Sequence, residues 1–303
     1  MSVRSLLEKK ERLILSLACL VVVGIWVWTL LPRSPMLTVT FLNVGQGDAI
    51  VLQTPSGHTA LVDCGQGASP RDNFDAGAKV ITPFLRQKGV NKLTALFFTH
   101  PHEDHIGGAV SVLRNFEVEA VYDPAVAHPS GRYLDVLKTI EGRNIPYRQL
   151  RRGQVIDFHD GVTMEALSPP DLKSEPSGEP EINDSSLVLR VKYGKTALLL
   201  TGDAGRKAEL AMLSNSKLIW AQVLKVGHHG SSDAATREFL MAVRPEVAII
   251  SVGWKNPFGH PNDDTISRLE DAGVKVYRTD KDGGVTVTTD GRGISISTSR
   301  TRY

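Results

Sequence analysis

The chain has 303 residues, 41% hydrophobic and 22% charged, with a formal net charge of +2. That is globular composition, long enough for one large domain or two small ones, and its bulk charge points neither toward nor away from nucleic acid. Its two cysteines, Cys19 and Cys64, form no Cys-x-x-Cys pair, which excludes a thiolate zinc site and a disulfide framework.

Residues 13–31 read LILSLACLVVVGIWVWTLL, without a charge. A helix of about 20 apolar residues crosses a bilayer core. Arg4, Lys9, Lys10 and Arg12 precede the run, and Trp26 and Trp28 stand near its far end, where amphipathic rings favour the interface. The run is longer than the apolar region of a cleaved signal, about 7–15 residues, and no small-x-small site follows it. The expectation is a basic cytoplasmic segment at 1–12 and a single-pass transmembrane helix at 13–31 in the inner (cytoplasmic) membrane. The domain at 36–303 then lies on the outer side.

From residue 36 the pattern is short strands, turns and helices. MLTVTFLNV alternates apolar and polar residues as a half-buried strand does, and AIVLQTP and TALVDCG read as two strands around Gly57. Helices are expected at 75–88, 107–116 and 133–143, with strands at 93–99 and 118–122 between them. In the second half, hairpins are expected at 154–158 with 162–167 and at 186–193 with 196–200, and a polar loop at 169–181. Helices at 204–213, 234–243 and 265–272 alternate with strands at 223–226 and 247–252, and VKVYRT and GVTVTT close the chain as strands. Two sheets covered by helices, an α/β protein of αββα sandwich form, accommodate this order.

The chemistry concentrates in residues 97–108, FFTHPHEDHIGG. A buried strand ends at Thr99, and His100, His102, Asp104 and His105 follow before two glycines open a helix. Four potential ligands on one strand-to-helix loop converge on a point, and imidazole with carboxylate suits zinc, manganese or iron. A closed structural zinc site usually uses cysteine, so an open catalytic site is expected.

This segment resembles the signature of the metallo-β-lactamase superfamily. The resemblance implies that His100 and His102 serve one metal while Asp104 and His105 serve a second. It implies that Asp203, in ALLLTGD, bridges the two, and that Asp63, in LVDCG, supports the loop together with Asp48. The stretches VGQGDAIVLQTP, NDSSLVLRVKYG, VLKVGHHGSS and FGHP narrow the resemblance to the hydrolase domain of ComEC-type competence proteins and the related phosphorylcholine esterases. The cofactor implied is a pair of divalent transition-metal ions, zinc or manganese. The activity implied is hydrolysis by a hydroxide bridging them, with Asp104, His228 and His260 as catalytic residues. Of the adjacent pair His228 and His229, His229 is favoured as the ligand. Asn183, Ser185, Ser231 and His260 are the expected substrate contacts.

There are departures. Asn43 and His102 stand where that group often has Asp. Most of the superfamily has a further histidine before the bridging aspartate; here only His128 and His159 lie in that interval, and both read as exposed turn residues, while Asn183 occupies the place in the competence-like group. One hydrophobic span stands where a full competence protein has several. The preferred substrate is a phosphodiester, either DNA or a phosphorylated envelope component, with Arg143, Arg148, Arg151 and Arg152 as a candidate basic strip. Ester, thioester or lactam hydrolysis and a non-catalytic tethered binding module remain open alternatives, and no protein partner is implied.

Overall fold

The computed structural model describes residues 14, 16–23, 35–69, 73–126, 128–170, 181–215 and 219–299. Two compact units separate, Met1–Pro35 and Met36–Tyr303. In the first, residues 14 and 16–23 are helical with exposed side chains. Among the described residues no helix is long and apolar enough to cross a membrane. Residues 13, 15 and 24–31 of the expected span lie outside the described residues.

In the second unit the strands are β1 (Leu37–Phe41), β2 (Ile50–Gln53), β3 (Thr59–Val62), β4 (Lys92–Leu93), β5 (Ala95–Phe97) and β6 (Glu117–Val118). They continue as β7 (Val121–Asp123), β8 (Tyr147–Gln149), β9 (Val155–Asp157), β10 (Val162–Ser168), β11 (Val188–Tyr193) and β12 (Thr196–Leu200). The last are β13 (Val223–Lys225), β14 (Val247–Ile250), β15 (Lys275–Arg278), β16 (Gly284–Thr289) and β17 (Ile294–Ser299). One sheet has the order β17-β16-β1-β2-β3-β5-β7-β8 and the other β15-β14-β13-β12-β11-β10-β9.

Alternation along the strands places the core. In β1, Leu37, Val39 and Phe41 are fully buried between the sheets, where they join Leu52, Leu189, Leu198, Val223 and Ile249. The outer faces are buried too, because the parallel strands are linked by helices that pack back on the sheet. Thr82–Gln87, Ala109–Asn115 and Gly131–Gly142 bring Leu85, Val112 and Val136 onto the first sheet. Arg206–Asn215, Arg237–Val243 and Asp263–Asp271 bring Met212, Phe239 and Leu269 onto the second. Each such side chain contributes about 1.5–3 kcal/mol when fully buried. The result is the expected αββα sandwich.

Several elements differ from expectation, among them the strands expected at 93–99 and 118–122, each of which breaks in two, with β4 and β6 pairing apart from the main sheets. The helix expected at 107–116 is two, Glu103–Ile106 and Ala109–Asn115, parted at Gly107 and Gly108. A Cβ at Gly107 would stand 2.1 Å from Gly67 N, and one at Gly108 2.4 Å from Cys64 O, so these glycines let the ligand loop press against the strand-end loop after β3. Residues Ile294–Ser299 add an unexpected edge strand on β16, where Ser and Thr take the outward positions. Tyr147–Gln149 adds β8 beside β7.

Strands β3, β5, β7 and β8 run parallel, as do β12, β13, β14 and β15. Parallel strands gather their carboxyl ends on one rim, the usual place for a site in such sheets. Asp63 follows β3, His100 follows β5, Asp203 follows β12, and His228 and His229 follow β13.

Candidate metal centre

Asp63 underlies the site. It takes a left-handed backbone conformation, φ 58°, at the end of β3. Its buried carboxylate accepts hydrogen bonds from Thr99 N at 2.8 Å and Thr99 Oγ1 at 2.6 Å, and meets His105 Nδ1 at 2.8 Å. A proton on Nδ1 suits that contact and leaves Nε2 as the nitrogen that faces Asp203.

His105 Nε2 and Asp203 Oδ1 are buried 3.2 Å apart, yet neither makes a hydrogen bond with any described residue. Two buried polar atoms left in this state cost free energy unless a third group satisfies both. His229 Nε2 lies 3.1 Å from Asp104 Oδ2 and 3.6 Å from Asp203 Oδ2, and His105 Nε2 lies 3.9 Å from Asp104 Oδ2. Tetrahedral bonds of about 2.0–2.1 Å set neighbouring ligands about 3.3 Å apart, so these spacings match the edges of one coordination shell. Asp104, His105, Asp203 and His229 bring four ligand atoms within 4.8 Å of one another and could hold a metal ion. His229 is braced for this as His105 is, its Nδ1 donating to Ser251 O at 2.9 Å.

The other pair starts a second cluster. His100 Nε2 lies 3.1 Å from His102 Nδ1 and 3.7 Å from Asp203 Oδ2. His100 Nδ1 faces Thr99 Oγ1 at 3.1 Å and Ser186 Oγ at 3.5 Å. Asn183 Oδ1 is buried without a hydrogen-bond partner among the described residues, and its Nδ2 lies 3.3 Å from His228 Nε2.

The adjacent histidines part company because β13 gives way to a tight turn, Gly227–Gly230. Both adopt left-handed backbone conformations, His228 at φ 46° and His229 at φ 53°. Such residues cost on the order of 1–3 kcal/mol each and gather at functional sites. The turn sends His229 to the four-donor cluster and His228 toward Asn183, with His228 Nδ1 3.8 Å from Asp233 Oδ1. The His260 ring centroid stands 5.4 Å from that of His228, and His260 Nδ1 is buried without a partner among the described residues.

Charge splits the site into two states. Burial disfavours a charge on His100 and, less completely, on His102, and holds both pKa values below the imidazole value. Burial works the same way on His105 and His229, but Asp203, with Asp104 beside both, overcomes it and raises them. Burial raises Asp203 as well, and His105 and His229 more than reverse it, holding its carboxyl well below the usual range. Metal entering the four-donor cluster therefore displaces protons, so affinity falls as pH falls. His260 is lowered by burial and by His228 and His229.

The cluster opens into a cavity of about 600 Å³ lined in part by His102, Asp104, Asn183, Asp203, His228, His229, Phe258 and His260. The loop carrying Asp48 closes on the metal loop, with Asp48 N donating to Asp104 O at 3.2 Å. Gly47, at φ +123°, makes that approach possible, since a Cβ there would stand 2.1 Å from Asp104 O.

A model of the metallo-beta-lactamase superfamily matches residues 42–254. The chain belongs to that superfamily. ComE operon protein 3 of Bacillus subtilis is 33% identical over 82% of this chain and 32% of its own length. Competence protein ComA of Neisseria gonorrhoeae is 33% identical over 82% of this chain and 31% of its own. The chain thus spans about a third of these competence proteins. Ribonuclease J of Mycoplasma genitalium is 35% identical over 22% of this chain and 12% of its own length. Among solved structures, CmlA, a diiron β-hydroxylase from Streptomyces venezuelae, matches with a TM-score of 0.52 and 14% identity, over 82% of this chain and 53% of its own, and shows the shared fold.

For this superfamily member several expectations change. Ser185 and Ser231, expected at the substrate, do not line the cavity. Ser185 is buried within the 181–186 turn, and the Ser231 hydroxyl is committed to Asp233. Ser186 is nearer the centre, accepting from Asp203 N at 3.2 Å. His128 is half-buried rather than exposed, its ring edge-on to His102 at 5.7 Å, while His159 is exposed as expected. The arginine strip does not form, because Arg151 is buried and bonded to Pro170 O and Arg152 is bonded to Leu167 O. Lys225 was missed. It is fully buried on β13, where Nζ donates to Gly202 O at 2.7 Å, pairs with Asp48, and lies 3.8 Å from Asp203 Oδ1. A lysine inside the apolar run VLKV was its signal.

Proposed function

We propose that the chain is a metal-dependent phosphodiester hydrolase, held by residues 13–31 in the inner membrane with residues 36–303 on the outer side. The observation that carries the catalytic reading is the cluster of Asp104, His105, Asp203 and His229, of which Asp104, Asp203 and His229 line the cavity with His105 buried behind them. His100 and His102 are the proposed protein ligands of a second ion, with Asp203 between the two sets and Asp63 and Asp48 supporting them. Two divalent ions bound there would lower the pKa of a water and stabilise charge on phosphoryl oxygens.

The chain's own residues supply the rest. Asp203 fixes the spacing between the two ligand sets. Asp63, Ser251 O and Thr99 orient the imidazoles so that no reorganisation is needed during reaction. His228 and His260 line the same cavity, and an imidazole there is the proposed proton donor to the leaving oxygen. Asn183 lines the same cavity, and its amide oxygen has no hydrogen-bond partner among the described residues. The names of the competence relatives and of ribonuclease J support a phosphodiester over an ester, thioester or lactam. The basic flank and uncharged run at 4–31 support the anchor.

The test is a screen of the purified, metal-loaded chain against bis-p-nitrophenyl phosphate, a plasmid and nitrocefin. Hydrolysis of the first two, abolished by His105→Ala, is expected. Efficient nitrocefin cleavage with every phosphodiester intact overturns the assignment while leaving the fold.

A further inference from the structure

Beyond the metal cavity the rim continues into a second hollow of about 580 Å³, and the two share Gln46, Gln66 and Pro257. The loop between them displays two large rings to solvent, Trp254 at 63% exposure on the second hollow and Phe258 at 65% on the first. Exposure of both is not a by-product of a loose loop. Asn256 braces it, its Nδ2 donating to Gly253 O at 3.1 Å and His260 O at 2.6 Å, while its Oδ1 accepts from Phe258 N and His260 N, each at 3.1 Å. Gln46 Oε1 anchors the start of the loop by accepting from Gly253 N at 3.0 Å.

We propose that Trp254 and Phe258 form a stacking platform for successive bases of a single-stranded nucleic acid whose backbone enters the metal cavity. The proposal rests on the phosphodiester reading of that cavity. One face of each ring is already backed, Phe258 by the His260 ring at 5.9 Å and Trp254 by Lys255 Nζ at 6.0 Å, and rings held exposed in this way suit flat ligands, because little ordering remains to be done on binding. Stacking tolerates any base, since every base has a π-face. A duplex keeps its bases stacked inside and offers no free face to either ring.

A compact choline phosphate would also favour aromatic rings, through cation–π attraction. Charge on the loop argues against it. Lys255 Nζ lies 6.0 Å from the Trp254 ring centre and makes no ion pair among the described residues, so it repels a quaternary ammonium and attracts a backbone phosphate. The acidic residue of the second hollow, Asp280, is paired with Arg278 at 2.7 Å and 3.0 Å. Two adjoining hollows also exceed what one headgroup fills.

The experiment is fluorescence anisotropy with a labelled twelve-nucleotide oligothymidylate and the full chain in detergent, with EDTA present so that binding is read without cleavage. Trp254→Ala and Phe258→Ala should each weaken binding on the order of ten-fold, and Trp254→Phe should retain most of it. An abasic strand of equal length should bind the parent as weakly as the double variant binds oligothymidylate. Lys255→Ala should flatten the dependence on salt. Circular dichroism of each variant should match the parent, since both rings are exposed. Variants that bind like the parent, a duplex that binds as tightly as the single strand, or displacement of the strand by phosphocholine would each overturn the platform. A protein that binds the strand through both rings yet never hydrolyses a diester supports the platform and refutes the catalytic reading. One that hydrolyses a small diester but ignores the bases does the reverse.

Discussion

Lys225→Met removes the closest ion-pair partner of Asp48 among the described residues, in the fully buried floor of the site, while keeping most of the side-chain volume; His105 Nδ1 and His229 Nδ1 stand farther off, at 3.8 Å and 4.0 Å. Lys225 is 0% exposed and Asp48 1%. Among the described residues the Asp48 carboxylate makes no hydrogen bond, so the close ion pair with Lys225 is its main compensation. Breaking a buried pair by deleting one partner costs about 3–5 kcal/mol, because the remaining charge is stranded. Loss of the bond to Gly202 O lies within that range. Combining Lys225→Met with Asp48→Asn removes both charges and should recover most of the loss, leaving about 1–2 kcal/mol. The assay is urea unfolding in EDTA at pH 7, comparing parent, both single variants and the double. A single-variant loss below about 1 kcal/mol, or a double-variant loss equal to the sum of the singles, would refute the pairing.

Asp123, buried at the end of β7, has its carboxyl pushed up to about 6, chiefly by burial. Its folded pKa exceeds the unfolded one, so its contribution is full below about pH 4 and lost as pH rises through 6; Asp123→Asn should flatten that slope and add up to about 3 kcal/mol at pH 7, and an unchanged urea midpoint profile between pH 4 and 7 would count against it. His260→Ala should keep its metal yet lower diester turnover about 10²–10⁴-fold, with poor leaving groups suffering more than p-nitrophenolate; equal losses on both would make it structural. A reporter fused after Tyr303 should be active on the outer side of the membrane, and deletion of residues 13–31 should release the protein from the membrane fraction; cytoplasmic reporter activity would contradict the anchor's orientation.

Much of the candidate centre was legible in the sequence because its candidate ligands are local. His100, His102, Asp104 and His105 fall within one loop after an apolar strand, and Asp63 and Asp203 each close an apolar strand whose carboxyl end shares a rim with that loop. Choosing between His228 and His229 depended on two consecutive left-handed residues, which neither side chain announces. Ser186 rather than Ser185 reaches Asp203 because the chain turns between them, a one-residue question that pattern does not decide. His128 meets His102 across a loop whose path depends on packing rather than period. Strand β17 was hidden by its serines and threonines, which satisfy an edge strand without an apolar run. Trp254 and Phe258 lie between the strand expected at 247–252 and the helix expected at 265–272, and their exposure beside the cavity is what singles them out for the proposed platform.

The central claim is a two-ion centre joined through Asp203, and elemental analysis of the full chain reconstituted with zinc or manganese addresses it most directly. The account predicts two ions per chain in the parent and loss of most of both in Asp203→Ala, because that carboxylate faces His105 and His229 through one set and His100 through the other. A parent chain that retains no metal after reconstitution, or an Asp203→Ala variant that retains both ions, would contradict it.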